Sequence, residues 1–95
     1  MNVIQTAQYS KWLESIRDER AVARIQTRIR RLQLGNPGDA KSVGDGVIEM
    51  RLNYGPGYRI YYTVRGRKII ILLAGGTKKD QSLDIELAKT LARNI

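Results

Sequence analysis

The sequence predicts an α+β fold in the order β-α-α-β-β-β-α, on three observations. Apolar residues recur with a helical period in the first third of the chain, and they alternate with polar ones after residue 46. A stretch rich in glycine separates the two regimes. The alternating segments are joined by turn sequences that suit hairpins.

Val3 and Ile4 stand where an opening strand can pair with a later one. Tyr9, Trp12, Leu13 and Ile16 fall at i, i+3, i+4 and i+7, the apolar stripe of an amphipathic helix, with Thr6 as its N-cap. Asp18 caps a second, longer helix in which Val22, Ile25, Ile29 and Leu32 share one face. Gly35 and the following Asn36-Pro37-Gly38 end it, so the two make a helical hairpin. Residues 35–46 hold Gly35, Pro37, Gly38, Gly44 and Gly46 and read as a connecting loop.

Ile48, Met50, Leu52 and Tyr54 then alternate with Glu49, Arg51 and Asn53, while Tyr58, Ile60, Tyr62 and Val64 alternate with Arg59, Tyr61 and Thr63. A loop of Gly55-Pro56-Gly57 sets Tyr54 opposite Tyr58, Leu52 opposite Ile60, Met50 opposite Tyr62 and Ile48 opposite Val64. The other face matches Arg51 with Tyr61, Asn53 with Arg59, and Glu49 with Thr63; a slip of one residue would expose the apolar set. Arg65-Gly66 turns the chain into Arg67 to Ala74, whose near-continuous apolar run implies a central strand covered on both faces. Thr77-Lys78-Lys79-Asp80 has the spacing of a capping box, and Leu83, Leu87 and Leu91 with Ile85, Ala88 and Ala92 supply a closing helix.

With 95 residues, 42% of them hydrophobic, the chain is expected to fold as one domain over 1–95, too small for a deep cofactor cavity. It has no His and no Cys, which excludes imidazole acid/base pairs, Ser-His triads, thiol nucleophiles and the common zinc sites. No metal or other cofactor is expected. The longest apolar run, Ile69 to Ala74, is far short of a membrane span, and the N-terminus lacks the basic and apolar regions of a secretion signal, so the expected location is the cytoplasm.

Lys and Arg number 17 against 9 Asp and Glu, a net charge of +8, and 11 of the 17 are Arg, whose planar fork suits phosphate oxygens. Arg20, Arg24, Arg28 and Arg31 fall within about an 80° wedge of the second helix. That wedge is either a ridge tracking a phosphate backbone or a solvated helix face, and the net charge weighs towards a polyanion. Arg51, Asn53, Arg59 and Tyr61 cluster on the polar face of the hairpin, with Ile70, Leu72 and Ala74 extending that face as an apolar strip. Neighbouring arginines on a rigid sheet repel unless an anion joins them, which favours an anion site over a half-covered structural face. Gly75-Gly76-Thr77-Lys78-Lys79 precedes the last helix, where backbone N–H groups and the two lysines can meet phosphate; the spacing is not that of a nucleotide-binding loop.

Four segments together resemble a known family: Arg24 to Leu32, Val43-Gly44-Asp45-Gly46-Val47-Ile48-Glu49-Met50-Arg51, Tyr54-Gly55-Pro56-Gly57-Tyr58-Arg59-Ile60-Tyr61-Tyr62 and Leu72-Leu73-Ala74-Gly75-Gly76-Thr77-Lys78. They resemble the RelE/ParE superfamily of toxin–antitoxin toxins, in particular its HigB-like group of phage-related addiction module killer proteins. The resemblance implies a RelE-like fold, with the helical hairpin packed on an antiparallel sheet. It also implies a ribosome-dependent mRNA endoribonuclease that inhibits translation, partnered by a helix-turn-helix antitoxin. In that chemistry the 2′-OH attacks the adjacent phosphate and leaves a cyclic phosphate. By resemblance Arg59 is the strand arginine that stabilises the phosphate, Arg51 a basic position on the preceding strand, and Lys78 the basic residue after the last strand.

The His-Arg pair and the C-terminal Tyr of many RelE-like toxins are missing, and no aromatic residue follows Tyr62. Tyr61, Tyr54 and Glu49 are the candidates for acid/base work, unless catalysis rests on orientation and charge with the ribosome contributing groups. The same absences leave a second implication open, a ParE-like gyrase-binding toxin without nuclease activity.

Overall fold

In the computed structural model, which covers residues 1–95, the first two helices start at the side chains expected to cap them. Thr6 Oγ1 accepts the Tyr9 N–H at 3.0 Å and opens α1 (Ala7–Ser15); the same hydroxyl donates to the Leu73 carbonyl at 2.6 Å, anchoring the helix to the sheet. Asp18 Oδ1 accepts from Arg20 and Ala21 N–H at 3.0 and 3.2 Å and opens α2 (Glu19–Gln33). Gly35, at φ 94°, takes the left-handed conformation just past the end of α2.

Five strands form one open sheet: β1 (Asn2–Gln5), β2 (Ala40–Gly44), β3 (Val47–Leu52), β4 (Tyr58–Arg65) and β5 (Ile69–Thr77), in the order β1-β5-β4-β3-β2. The sheet is mixed, where a wholly antiparallel one was expected, because β1 runs parallel to β5. No hairpin joins those two strands, so no local turn enforces antiparallel pairing. The sheet carries a hydrophobic core on each face. On one, Tyr9, Ala21, Ile25, Ile29 and Leu32 of α1 and α2 pack against Met50, Leu52, Ile60, Tyr62, Ile70 and Leu72. On the other, Ala88 and Ala92 bring α3 (Gln81–Arg93) down onto Val47, Tyr61, Ile71, Leu73 and Ala74. Each large aliphatic side chain buried this way contributes about 1.5–3 kcal/mol. No helix is long and apolar enough to cross a membrane.

Four expectations need correction. Part of the presumed loop 35–46 is β2, an edge strand antiparallel to β3. Its Ala40-Lys41-Ser42-Val43-Gly44 lacks apolar alternation because it buries almost nothing, and Gly44, Asp45 and Gly46 turn the chain with φ of 99°, 56° and 76°. The β3–β4 register is also displaced by two residues: Leu52 faces Tyr58, Met50 faces Ile60, Ile48 faces Tyr62, Glu49 faces Tyr61 and Arg51 faces Arg59. Tyr54 leaves the ladder, so the turn spans Asn53 to Gly57; a shift by two keeps every side chain on its face, and alternation alone cannot detect it.

The third correction concerns Ile70, Leu72 and Ala74, which form no surface strip. They are 0%, 3% and 1% exposed, with Ile70 and Leu72 in the core under α1 and α2. A bulge at Leu73 breaks the β4–β5 ladder between Tyr61 and Tyr62 and brings Ala74 to the opposite face. Finally, no capping box forms at Thr77. That residue still pairs with Tyr58, a 3₁₀ turn covers Lys78–Asp80, and α3 begins at Gln81. Leu83 is consequently 73% exposed, while Ala88 and Ala92 define the buried stripe.

Gly75 and Gly76 lie where helices press on β5 from both sides. A Cβ on Gly75 would overlap the Trp12 indole, and one on Gly76 would overlap the Asp84 carboxylate. Trp12 is a planar group wedged between Tyr9 and Tyr58, with ring centroids at 5.7 and 6.3 Å, and has little room to retreat. We expect Gly75→Ala to destabilise the fold by about 1–3 kcal/mol, read from the urea midpoint.

Candidate functional site

The displaced register decides the site. With Arg51 opposite Arg59 and Glu49 opposite Tyr61, all four side chains project to the α3 face at the end of the sheet nearest the β3–β4 turn. Glu49 is fully buried and organises the group: Oε2 accepts the Tyr61 hydroxyl at 3.1 Å and the Gln81 amide at 2.8 Å, while Oε1 lies 3.3 Å from Arg51 Nε. Burial, then the charge and hydrogen bond of Glu49, hold the Tyr61 phenol well above its usual range. Tyr61 has no exposed surface, and its hydroxyl holds Glu49 in place. Of the other acid/base candidates, Glu49 is enclosed and Tyr54, on the α2 face of the sheet, donates its hydroxyl to Asp18 at 3.1 Å.

Arg59 is 8% exposed and has no carboxylate within 4.0 Å; the two ion pairs of the molecule are Arg51–Glu49 and Arg93–Asp45. Its Nη1 donates to the Gly57 carbonyl at 3.3 Å, and its buried Nε has no partner. The same carbonyl accepts the Lys78 N–H at 3.0 Å. A Cβ on Gly57, at φ 80°, would stand 3.4 Å from the Lys78 Cβ and 3.5 Å from Arg59 Nη1, so the three residues meet at one point. Lys78 and Lys79 are exposed beside it. The structure thus brings Arg51, Arg59, Tyr61 and Lys78 together.

Arg20, Arg24, Arg28 and Arg31 lie on the opposite face, with α2. Arg20, Arg24 and Arg31 are exposed. Arg28 is not a free member of a ridge: Nη1 donates to the Arg51 carbonyl at 2.7 Å, and Nη2 to those of Pro37 and Asp39 at 3.2 and 3.5 Å. Arg24 rests over the Tyr54 ring, 4.5 Å from its centroid.

Two residues of the α3 face escaped the sequence reading. Gln81 tethers α3 to Glu49, and Asp84 has a buried Oδ2 without a hydrogen-bond partner, beside Gly76. Burial, and then the charge of Asp80, raise the Asp84 pKa above the ordinary 3.8. The signal for both was present: Gln81 and Asp84 continue the Ala88–Ala92 stripe backwards at helical spacing.

The fold and the site define a small α+β protein with an open five-stranded sheet and a basic cluster at one end of it, without any group of three or more potential metal ligands. Residues 11–94 match the family described as Phage derived protein Gp49-like (DUF891), and the chain belongs to that family. An uncharacterized protein of Haemophilus influenzae is 46% identical over 90 residues, covering 95% of this chain and 91% of its own. The family match spans every candidate residue from Arg20 to Lys79.

Two outcomes follow from these contacts. Arg28→Ala, by removing the charged donor from the half-buried Arg51 carbonyl, should cost about 1–3 kcal/mol in urea denaturation. Asp84 binds its proton more tightly folded than unfolded, so its favourable contribution is complete below about pH 3.8 and is lost as pH rises through the folded value. Asp84→Asn should therefore be more stable than wild type near neutral pH, with the difference vanishing in acid, as thermal melts at the two pH values would show.

Proposed function

We propose that the chain is the toxin of a type II toxin–antitoxin system, with a RelE-like fold, acting as a ribosome-dependent mRNA endoribonuclease in the cytoplasm and held inactive by a helix-turn-helix antitoxin. One observation carries this reading: Arg59, a guanidinium buried on a rigid sheet with no counterion, placed opposite Arg51 and beside Lys78. Burying a charge without a partner costs several kcal/mol, and a phosphate is the group that would recover it. With RNA in place, the 2′-OH gives up its proton as its oxygen bonds to phosphorus, the P–O5′ bond breaks with the leaving 5′-oxygen taking up a proton, and a 2′,3′-cyclic phosphate remains. Negative charge grows on the phosphate oxygens in that transition state, where the fixed donors of Arg59 are most effective. Arg51 is braced by Glu49, which Tyr61 and Gln81 hold in turn, and Lys78 adds an exposed charge from the turn into α3. Exposed Arg20, Arg24, Arg31 and Lys79, with the net charge of +8, suit approach to a ribosomal surface. The antitoxin's docking surface is not the Ile70, Leu72 and Ala74 set, which is internal.

Arg59→Met keeps the buried stem and removes the unpaired charge. We expect it to lower single-turnover cleavage on programmed ribosomes by about 10²–10³ while leaving the melting temperature unchanged or higher. Arg59→Lys should restore little, because a point charge does not reproduce the fork. A substrate lacking the 2′-OH at the scissile nucleotide should remain uncut; cutting at the normal rate would refute the chemistry. Inhibition of gyrase without any mRNA cleavage would replace this reading with the ParE-like one.

A further inference from the structure

Between α2 and the end of β3 lies a recess of about 210 Å³, formed by Arg24, Arg28 and Arg31 with Asn53 and Tyr54 over Leu52. We propose that it is a phosphodiester subsite for single-stranded RNA, separate from the centre at Arg59. Its assignment to RNA rests on the nuclease reading above.

The electrostatics of the recess are unbalanced. Three guanidinium groups border one space, and none has a carboxylate within 4.0 Å, since the molecule's ion pairs lie elsewhere. The carboxylate at its margin, Asp18, is already used: Oδ1 accepts two N–H groups of α2 and Oδ2 the Tyr54 hydroxyl. An oxyanion among the three arginines would turn mutual repulsion into attraction.

Two of the arginines are also fixed in advance. Arg28 is held by three carbonyls, and the chain folds round it so closely that a Cβ on Gly38 would stand 2.8 Å from Nη2; Gly38, at φ 65°, makes that wrapping feasible. Arg24 is positioned over Tyr54, itself held by Asp18. Groups ordered before binding lose little entropy on binding, which is what distinguishes a site from a solvated charge stripe.

Shape selects the ligand. The recess is smaller than the roughly 300–1,000 Å³ of sites that enclose a whole small molecule, so its occupant is a group carried on a chain. A planar carboxylate matches one guanidinium fork, whereas a tetrahedral phosphate presents oxygens in several directions and suits the two unbonded forks of Arg24 and Arg31, with the carbonyl-bound Arg28 adding its fixed charge. The exposed Asn53 amide is free to meet a base edge or a 2′-OH. Asn53 begins the β3–β4 turn and Gly57, against Arg59 and Lys78, ends it, so a single strand crossing the turn reaches both sites.

The test measures binding of hexauridylate to the full chain by fluorescence anisotropy over a range of salt, with amide chemical shifts to locate it and hexaglutamate as the carboxylate control. We expect shifts in residues 24–31 and 52–54, and tighter binding of hexauridylate than of hexaglutamate. Arg24→Gln combined with Arg31→Gln changes only exposed side chains, leaving Arg28 and the fold in place. It should weaken hexauridylate at least tenfold and lower the log–log salt slope by about 1.4, the value for two lost single-strand contacts. Shifts confined to the Arg59 side, an unchanged slope, or hexaglutamate binding as tightly as hexauridylate would each overturn the subsite. Failure of the nuclease reading is separately visible: wild-type protein that binds hexauridylate through these arginines but cuts no mRNA on ribosomes keeps the subsite and loses the proposed activity.

Discussion

A carboxylate with no exposed surface, Glu49, is the constraint on which the α3 face depends. Left alone, a buried carboxylate would cost several kcal/mol. It is instead surrounded by a phenol, an amide and a guanidinium drawn from β4, α3 and its own strand. Those partners are thereby held too: Tyr61 must keep its proton, Gln81 pins the first turn of α3, and Arg51 is directed along the sheet. Arg59 is the neighbour left without a counterion. The cluster thus holds one guanidinium, that of Arg59, outside its ion pairs.

The β3–β4 turn joins this network to the other face. Tyr54 is held from the α2 side by Asp18 and Arg24, and the Gly57 carbonyl from the α3 side by Arg59 and the Lys78 N–H. A loop of glycines and a proline would otherwise be the least ordered part of the molecule. Here its two ends carry the sheet's two basic regions, and neither can shift without disturbing contacts to a helix on its own side.

How far the sequence disclosed this depends on the range of the interaction concerned. Thr6 and Asp18 were legible as caps because a cap is a contact with residues two or three positions away. Assignment of the faces of β3 and β4 was equally secure, since alternation determines it. The register was not, because a shift by two leaves the alternation unchanged, and Tyr54 stands outside the ladder, bonded to Asp18 36 residues away. β2 was invisible for a related reason: an edge strand that buries little needs no apolar pattern. On α3, Ala88 and Ala92 with Ile85, Leu87 and Leu91 face the sheet as their spacing implies, whereas Leu83 is exposed and the polar Gln81 and Asp84 continue the buried stripe. Arg28 is identical to Arg24 and Arg31 in spacing; the Arg51 carbonyl and the path of residues 37–39 separate its role from theirs.

The paired glycines of β5 give the molecule a built-in optical reporter. On the α3 side the backbone at Gly76 lies directly beneath the Asp84 carboxylate, and one residue earlier, on the reverse side, Gly75 lies directly beneath Trp12. Only a strand's thickness separates the indole from the polar cluster. Trp12 is the single tryptophan of the chain, so its emission comes from one known place. A change in charge or packing beneath α3 can therefore be followed by intrinsic fluorescence from the far face, with no label attached to the cluster itself.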